Sequence, residues 1–207
     1  MSAPGGPARS GIAAGPPPPG RDRPTRRLPA ELGAWLFVLA DMTVFAFLFG
    51  AYLVDRSGQE AVFRAGQDRL LPVFGVVNTL LLLTSSLAVA TAVRLLRRGS
   101  PAVPRLLGLA VACGLAFSVL KIAEYGDKLS HGLDPQTDAF FMYYFVLTGV
   151  HWFHLACGLL MLTGMIAVTR RGSPLSPHER IYVEAGATFW HMVDLLWIVL
   201  FPLLYLV

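Results

Sequence analysis

Apolar residues run almost unbroken through five stretches of this chain, about 31–54, 72–96, 104–125, 139–169 and 180–206, and most of the charge lies between them. Crossing a hydrocarbon core takes roughly 20 predominantly apolar residues in a helix rising about 1.5 Å per residue. Each stretch is long enough. The pattern therefore predicts an all-α fold, a polytopic membrane bundle of five transmembrane helices covering residues 30–207. Pro72, the pair Pro101/Pro104 and the pair Pro174/Pro177 fall at the predicted ends. There a proline removes no hydrogen bond that the helix needs. Residues 1–29 hold Gly, Pro, Ala and Arg, with four prolines in a row at 16–19, and offer too little apolar surface to bury. They read as a disordered basic tail. The first apolar stretch, Leu32 to Val54, is too long for a secretory leader and is expected to be retained as a span. There is no internal repeat.

Charge sharpens this picture. The chain is 55% apolar and 14% charged, against about 25% charged in ordinary soluble domains, and its mean hydropathy is +0.57. No sizeable aqueous domain fits into its 207 residues. Its net charge of +4 reflects loop arginines, not a nucleic-acid partner. The tail, second connection and fourth connection hold 12 Lys and Arg, whereas the first and third hold four, partly offset by acids. Basic excess marks cytoplasmic segments, which predicts a cytoplasmic N-terminus and an outer C-terminus. An odd number of spans requires that arrangement. Cys113 and Cys157 both lie inside apolar stretches and form no Cys-x-x-Cys motif, so they read as packing, as do the six methionines.

Ionisable side chains inside lipid cost at least about 2.5–3.5 kcal/mol, so each one present asks for a partner. Asp41 lies ten residues into the first stretch, roughly 15 Å from its start and so at mid-bilayer. His151 and His154 are three apart on the fourth stretch, and Glu184, His191 and Asp194 share a face of the fifth, beside Trp190 and Trp197. Asp41, His151, His154, His191 and Asp194 are thus expected at one depth on three helices, as a shared polar network or a site for a lipid headgroup. The plainer alternative is that each is polar glue between helices. Lys121 and Glu124, also three apart, are expected to pair near the outer interface. Trp35, Trp152, Tyr52 and Tyr125 read as interfacial anchors.

The same histidines raise the question of a metal. His151, His154, His191 and Asp194 supply four conceivable zinc ligands, and imidazoles on facing helices can hold a haem axially. The paired Glu-x-x-His motifs of di-iron bundles are absent, however, and His151 and His154 share one helix and cannot both ligate one haem. No metal, catalytic or cofactor-binding residue is assigned in this chain.

Two strings are more specific. Thr148-Gly-Val-His151-Trp-Phe-His154 and Phe189-Trp190-His191-Met-Val-Asp194-Leu-Leu-Trp197 resemble the Gly-x-His-x-x-His and Trp-His-x-x-Asp-x-x-Trp motifs of cytochrome c oxidase subunit III. Asn78-Thr79, Ser85-Ser86 and Glu124-Tyr125 match the same family, and the resemblance covers about residues 31–207. Many members have seven spans, and this chain is similar to the last five. The family's usual Ser-Glu at the middle of the first of these is here Leu39-Ala40-Asp41-Met42. That variant and the short form resemble the branch associated with nitric oxide reductase.

The resemblance implies a non-catalytic membrane subunit of a haem-copper oxidase in the bacterial cytoplasmic membrane. Such a subunit supports assembly, stability and proton uptake of the catalytic subunit in aerobic respiratory electron transport. Haem and copper are then expected in that partner, with no redox centre in this chain, and bound phospholipid is expected. An accessory role for nitric oxide reductase is the nearest alternative. An independent haem b oxidoreductase and a small transporter are the more distant ones.

Overall fold

In lipid the backbone has no water to bond, so an apolar run of this length satisfies its own N–H and C=O groups as a helix. The computed structural model, which describes residues 28–171 and 175–206, is all-helical over those residues. Its elements are α1 (Leu28–Gly58), α2 (Glu60–Gln67), α3 (Pro72–Leu96), α4 (Val103–Ser130), α5 (Ala139–Arg170) and α6 (Pro177–Tyr205). Five of them are long and apolar enough to cross a membrane. The disordered tail expected for 1–29 lies almost wholly outside the described residues, and Leu28 and Pro29 already belong to α1.

Local chemistry sets the boundaries. Proline opens α3 and α6 and lies in the first turn of α4, where its missing N–H costs nothing. Asp138 caps α5 by accepting from the Phe141 amide at 2.9 Å. Ser176 and Glu179 close a reciprocal capping box at the start of α6. Gly99 and Gly132 take positive φ just beyond α3 and α4, where a side chain would be strained. Asp127 and Lys128, expected in a connection, lie instead on the last turns of α4. Lys128 is held there because its ammonium donates to the Arg69 carbonyl at 2.8 Å.

Helices α3, α4, α5 and α6 pack in a ring as an up-down-up-down bundle, each against two antiparallel neighbours. Trp190 of α6 fits because its neighbours are glycines. A Cβ at Gly158 on α5 would lie 2.7 Å from the indole, and one at Gly114 on α4 would lie 3.0 Å from it. The small residues let α4 and α5 close on the ring. Helix α1 leans on α5 and α6, burying Phe45 and Tyr52 and leaving Trp35, Phe37, Leu39 and Phe47 outward. The first connection holds a helix that hydropathy did not mark. Its Phe63 is buried against the rings of Tyr52, Phe140 and Tyr143, while Glu60 and Arg64 pair on the open side at 2.6 Å. Eight residues carrying one large apolar anchor are too few to register as a periodic signal.

Candidate functional site: ionisable groups within the spans

The five residues expected to form one network fall into three places. Asp41 of α1 meets His154 of α5, Oδ1 to Nε2, at 2.9 Å. Both side chains are 13% exposed, so the pair sits on the flank of the bundle where α1 crosses α5, not in its centre. Phe45, Phe153 and Phe189 wrap the imidazole. His154 Nδ1 lies 2.7 Å from the Val150 carbonyl one turn back. A carbonyl only accepts, so Nδ1 carries a hydrogen and Nε2 faces the carboxyl group. The 2.9 Å contact then needs one proton, either on Asp41 donating to neutral imidazole or on Nε2 donating to carboxylate. In both arrangements the pair holds a single proton at mid-span. Asp41 Oδ2 is buried and has no hydrogen-bond partner among the described residues.

His151 points elsewhere. Three residues advance a helix by about 300°, so His151 and His154 are turned some 60° apart and meet different neighbours. His151 is fully buried inside the bundle, with its ring centroid 5.3 Å from that of Trp197 and 5.7 Å from that of Phe117. Neither of its nitrogens has a hydrogen-bond partner among the described residues, and the same holds for the amide of buried Asn78 on α3. The interfacial anchors expected at Tyr52, Tyr125 and Trp152 are likewise turned inward. Tyr52 donates to the Leu203 carbonyl at 3.0 Å, Tyr125 meets the Thr148 hydroxyl, and Trp152 donates to Ser118 at 3.2 Å. Only Trp35 of that set faces outward.

The third place is the seam of α6 against antiparallel α3. Glu184 meets Arg97 at 3.4 Å, His191 Nδ1 meets the Ser86 hydroxyl at 2.7 Å, and Trp197 donates its indole N–H to Thr79 at 3.0 Å. Asp194, buried, has Ser86 and His191 as its polar neighbours. The shared face read from the spacing on α6 is thus a face toward α3, where Glu184, His191 and Trp197 each meet a partner, while buried Asp194 Oδ1 has no hydrogen-bond partner among the described residues. Ser86 and Thr79, hydroxyls in an apolar helix, were missed as partners because a lone hydroxyl satisfies itself on its own backbone as readily as on a neighbour.

Lys121 and Glu124 do pair, at 3.0 Å, and the pair is enclosed by the bundle: their side chains are 1% and 2% exposed. The Lys121 ammonium also donates to Tyr144 at 3.1 Å and to Tyr205 at 2.9 Å, and Tyr205 donates to Glu124 at 2.6 Å. Aromatic faces of Tyr144 and Trp197 lie 4.7 and 5.3 Å from the ammonium. All three donor hydrogens are used, so a buried charge here has no unmet demand. Tyr144 and Tyr205 went unrecognised in the sequence, although depth gives them away: the end of α4, the start of α5 and the end of α6 all lie at one end of the bundle.

This arrangement bears on metal chemistry. His154 spends both nitrogens on Val150 and Asp41, His191 holds Ser86, and His151 is enclosed by aromatic rings. Among the described residues no three His, Cys, Asp or Glu side chains converge as ligands. The histidines therefore do not fit zinc or haem ligation, and no step is derived through either group. What the arrangement can do is hold helices together, hold a proton between Asp41 and His154, and meet polar groups of another molecule at its flank.

Comparison with known proteins agrees with this geometry. The sequence model of the family described as cytochrome c oxidase subunit III matches residues 20–207. The chain is 34% identical over 175 residues to cytochrome c oxidase subunit 3 of Synechocystis sp., covering 84% of this chain and 74% of that one. It is 32% identical over 177 residues to cytochrome bo(3) ubiquinol oxidase subunit 3 of Pseudomonas putida, covering 84% of each chain. Cytochrome c oxidase subunit 3 of Bacillus sp. strain PS3 is 33% identical over 177 residues, again with 84% of each chain covered. A chain with five helices long and apolar enough to cross a membrane, matched along nearly its whole length, belongs to the cytochrome c oxidase subunit III family.

Proposed function

We propose that this chain is a non-catalytic integral subunit of a haem-copper oxidase in a bacterial cytoplasmic membrane, with its N-terminus on the cytoplasmic side. Haem and copper belong to the catalytic subunit beside it. The chain supports that subunit's assembly, its stability and its uptake of protons, and it binds phospholipid. One observation carries this reading: the Asp41–His154 contact joins two ionisable groups at 2.9 Å within the spans and lies on the flank of the bundle, not sealed within it. A group meant only to glue helices would gain by full burial among its partners. A group at the flank can serve whatever molecule packs there.

The test is affinity purification of the full chain in mild detergent, with optical spectroscopy and peptide identification of what accompanies it. Co-purification of a haem-copper oxidase subunit is expected. Co-purification of nitric oxide reductase instead, which Asp41 in place of the family's glutamate favours, would move the chain to that service. A Soret band on the isolated chain, or substrate flux in liposomes holding it alone, would overturn the proposal altogether.

A further inference from the structure

Seven buried polar side-chain atoms have no hydrogen-bond partner among the described residues, and six of them belong to four residues of the α3–α6 ring. They are both amide atoms of Asn78, both ring nitrogens of His151, the Trp190 indole nitrogen and Asp194 Oδ1. These residues are between 0% and 6% exposed. Hydroxyls of the same ring are satisfied: Ser85 donates to the Ala110 carbonyl at 3.0 Å and Ser118 to the Gly114 carbonyl at 3.1 Å. Leaving an enclosed polar group without a partner costs more than the bond itself returns, so such groups pair with protein or with bound water.

The six atoms lie in two adjoining places, and in each of them donors stand with acceptors. Trp190 and Asp194 are one turn apart on the same face of α6. The indole nitrogen only donates, and a carboxyl oxygen can accept. His151 and Asn78 come from opposite helices of the ring yet share one depth. The Ser85–Ala110 contact sets the register of antiparallel α3 and α4, and seven residues from it toward the same end stand Asn78 on one helix and Phe117 on the other. The Phe117 ring lies 5.7 Å from that of His151. Trp197, 5.3 Å from the same imidazole, donates to Thr79 beside Asn78. A neutral imidazole has one donor and one acceptor, and a primary amide offers both as well. Trp197 is three residues beyond Asp194, about 4.5 Å along the axis, so the two places are neighbours.

Whatever meets these atoms must donate and accept at once and must fit inside a core that also holds Leu82, Phe117 and Leu155. A metal ion would leave the Trp190 and Asn78 N–H groups unanswered, and an apolar molecule would answer none of the six atoms. Water gives two hydrogens and takes two, and polar sites of this size hold it. We propose that the α3–α6 ring binds water at two places inside the span, one bridging the Trp190 indole N–H to Asp194 Oδ1, the other bridging the His151 imidazole to the Asn78 amide. These waters act as structural ligands: they join α6 to itself and α5 to α3 across the ring. They are separate from the Asp41–His154 flank and do not depend on which oxidase the chain serves.

The test takes the full chain, isotope-labelled at the nitrogens of Trp, His and Asn, in phosphatidylcholine bilayers. Solid-state NMR then measures magnetisation transfer from water protons to each side-chain nitrogen. Transfer to Trp190, His151 and Asn78 is expected to be as fast as to outward-facing Trp35, although all three are buried. Asn78→Leu removes one wall of the second place and fills it, and should slow transfer to His151 roughly tenfold while Trp190 keeps its rate, because a bound water needs at least two polar partners. Asp194→Leu should do the reverse, slowing Trp190 and sparing His151. If Asn78→Leu does not fold, His151→Leu read at the Asn78 amide is expected to show the same loss. Slow transfer to all three residues in the parent, as in a dry core, overturns the proposal, and that measurement needs no variant. Fast transfer that the substitutions leave unchanged overturns it too, since the water would then be held by other groups. Failure to co-purify any oxidase leaves this assay unaffected.

Discussion

Two ionic pairs inside the same bundle have been given opposite surroundings. Lys121–Glu124 is closed in by Tyr144, Tyr205 and Trp197, with every ammonium hydrogen bonded and both side chains about fully buried. Asp41–His154 is joined by one contact at the seam of a peripheral helix, with an edge toward the outside and one carboxyl oxygen unbonded. The first pair is complete within the chain, and in hydrocarbon a complete network locks one packing of three helices. The second spans the loosest seam of the fold, since α1 buries little besides Phe45 and Tyr52. Structural weight and functional opportunity are therefore expected to separate: stability on Lys121–Glu124, service to a partner on Asp41–His154.

The sharpest way to break that contrast is Glu124→Ala. It strands a buried ammonium, and a loss of about 3–5 kcal/mol is expected, read as a collapse of the melting temperature in detergent. Lys121→Met combined with Glu124→Leu should recover part of it, because the double change removes both charges but takes the bonding partners from the buried Tyr144 and Tyr205 hydroxyls. A neutral Glu124→Ala would remove the structural role assigned to the cluster. Next in size is Gly158→Ala, where the new methyl meets the Trp190 ring at 2.7 Å. Overpacking of this kind costs about 1–3 kcal/mol, and the same melting measurement should show it without any change in co-purifying partners.

Asp41→Ala should lower the stability of the isolated chain by only about 1–2 kcal/mol, between the values for exposed and buried pairs. Its larger effect is expected in the complex, as faster loss of turnover or of associated subunit with the haem spectrum intact. Asp41→Asn keeps the contact to His154 but removes the titrating group. Assembly restored with durability still impaired would assign the effect to the proton and not to the bond. Unchanged assembly and activity in Asp41→Ala would count against the flank as a functional site. Smallest is Ser86→Ala, which takes the hydroxyl from His191 and should cost about 0.5–1.5 kcal/mol, visible as a small melting shift with the bundle otherwise unchanged.

Hydropathy and motif alone carried the all-helical class, the five spans and the family resemblance, because each depends on local periodicity or on short strings. The ionisable residues were also legible as exceptions, since a charge in lipid stands out wherever its side chain points. Their partners were not. Two residues three apart on a helix differ by about 60° in direction, and that angle sends His154 to Asp41 and His151 into a cage of Phe117 and Trp197. The tyrosines completing the Lys121 cluster, Tyr144 and Tyr205, come from two other helices and carry no local mark of their role. Helix α2, anchored by Phe63 alone, is set by packing against rings 70 and more residues away in sequence, Phe140 and Tyr143. Composition decided that this chain lives in a membrane and that its buried charges need company. Only the rotation and contact of packed helices decided which company each one keeps, because that choice turns on angles between helices that no single stretch of sequence records.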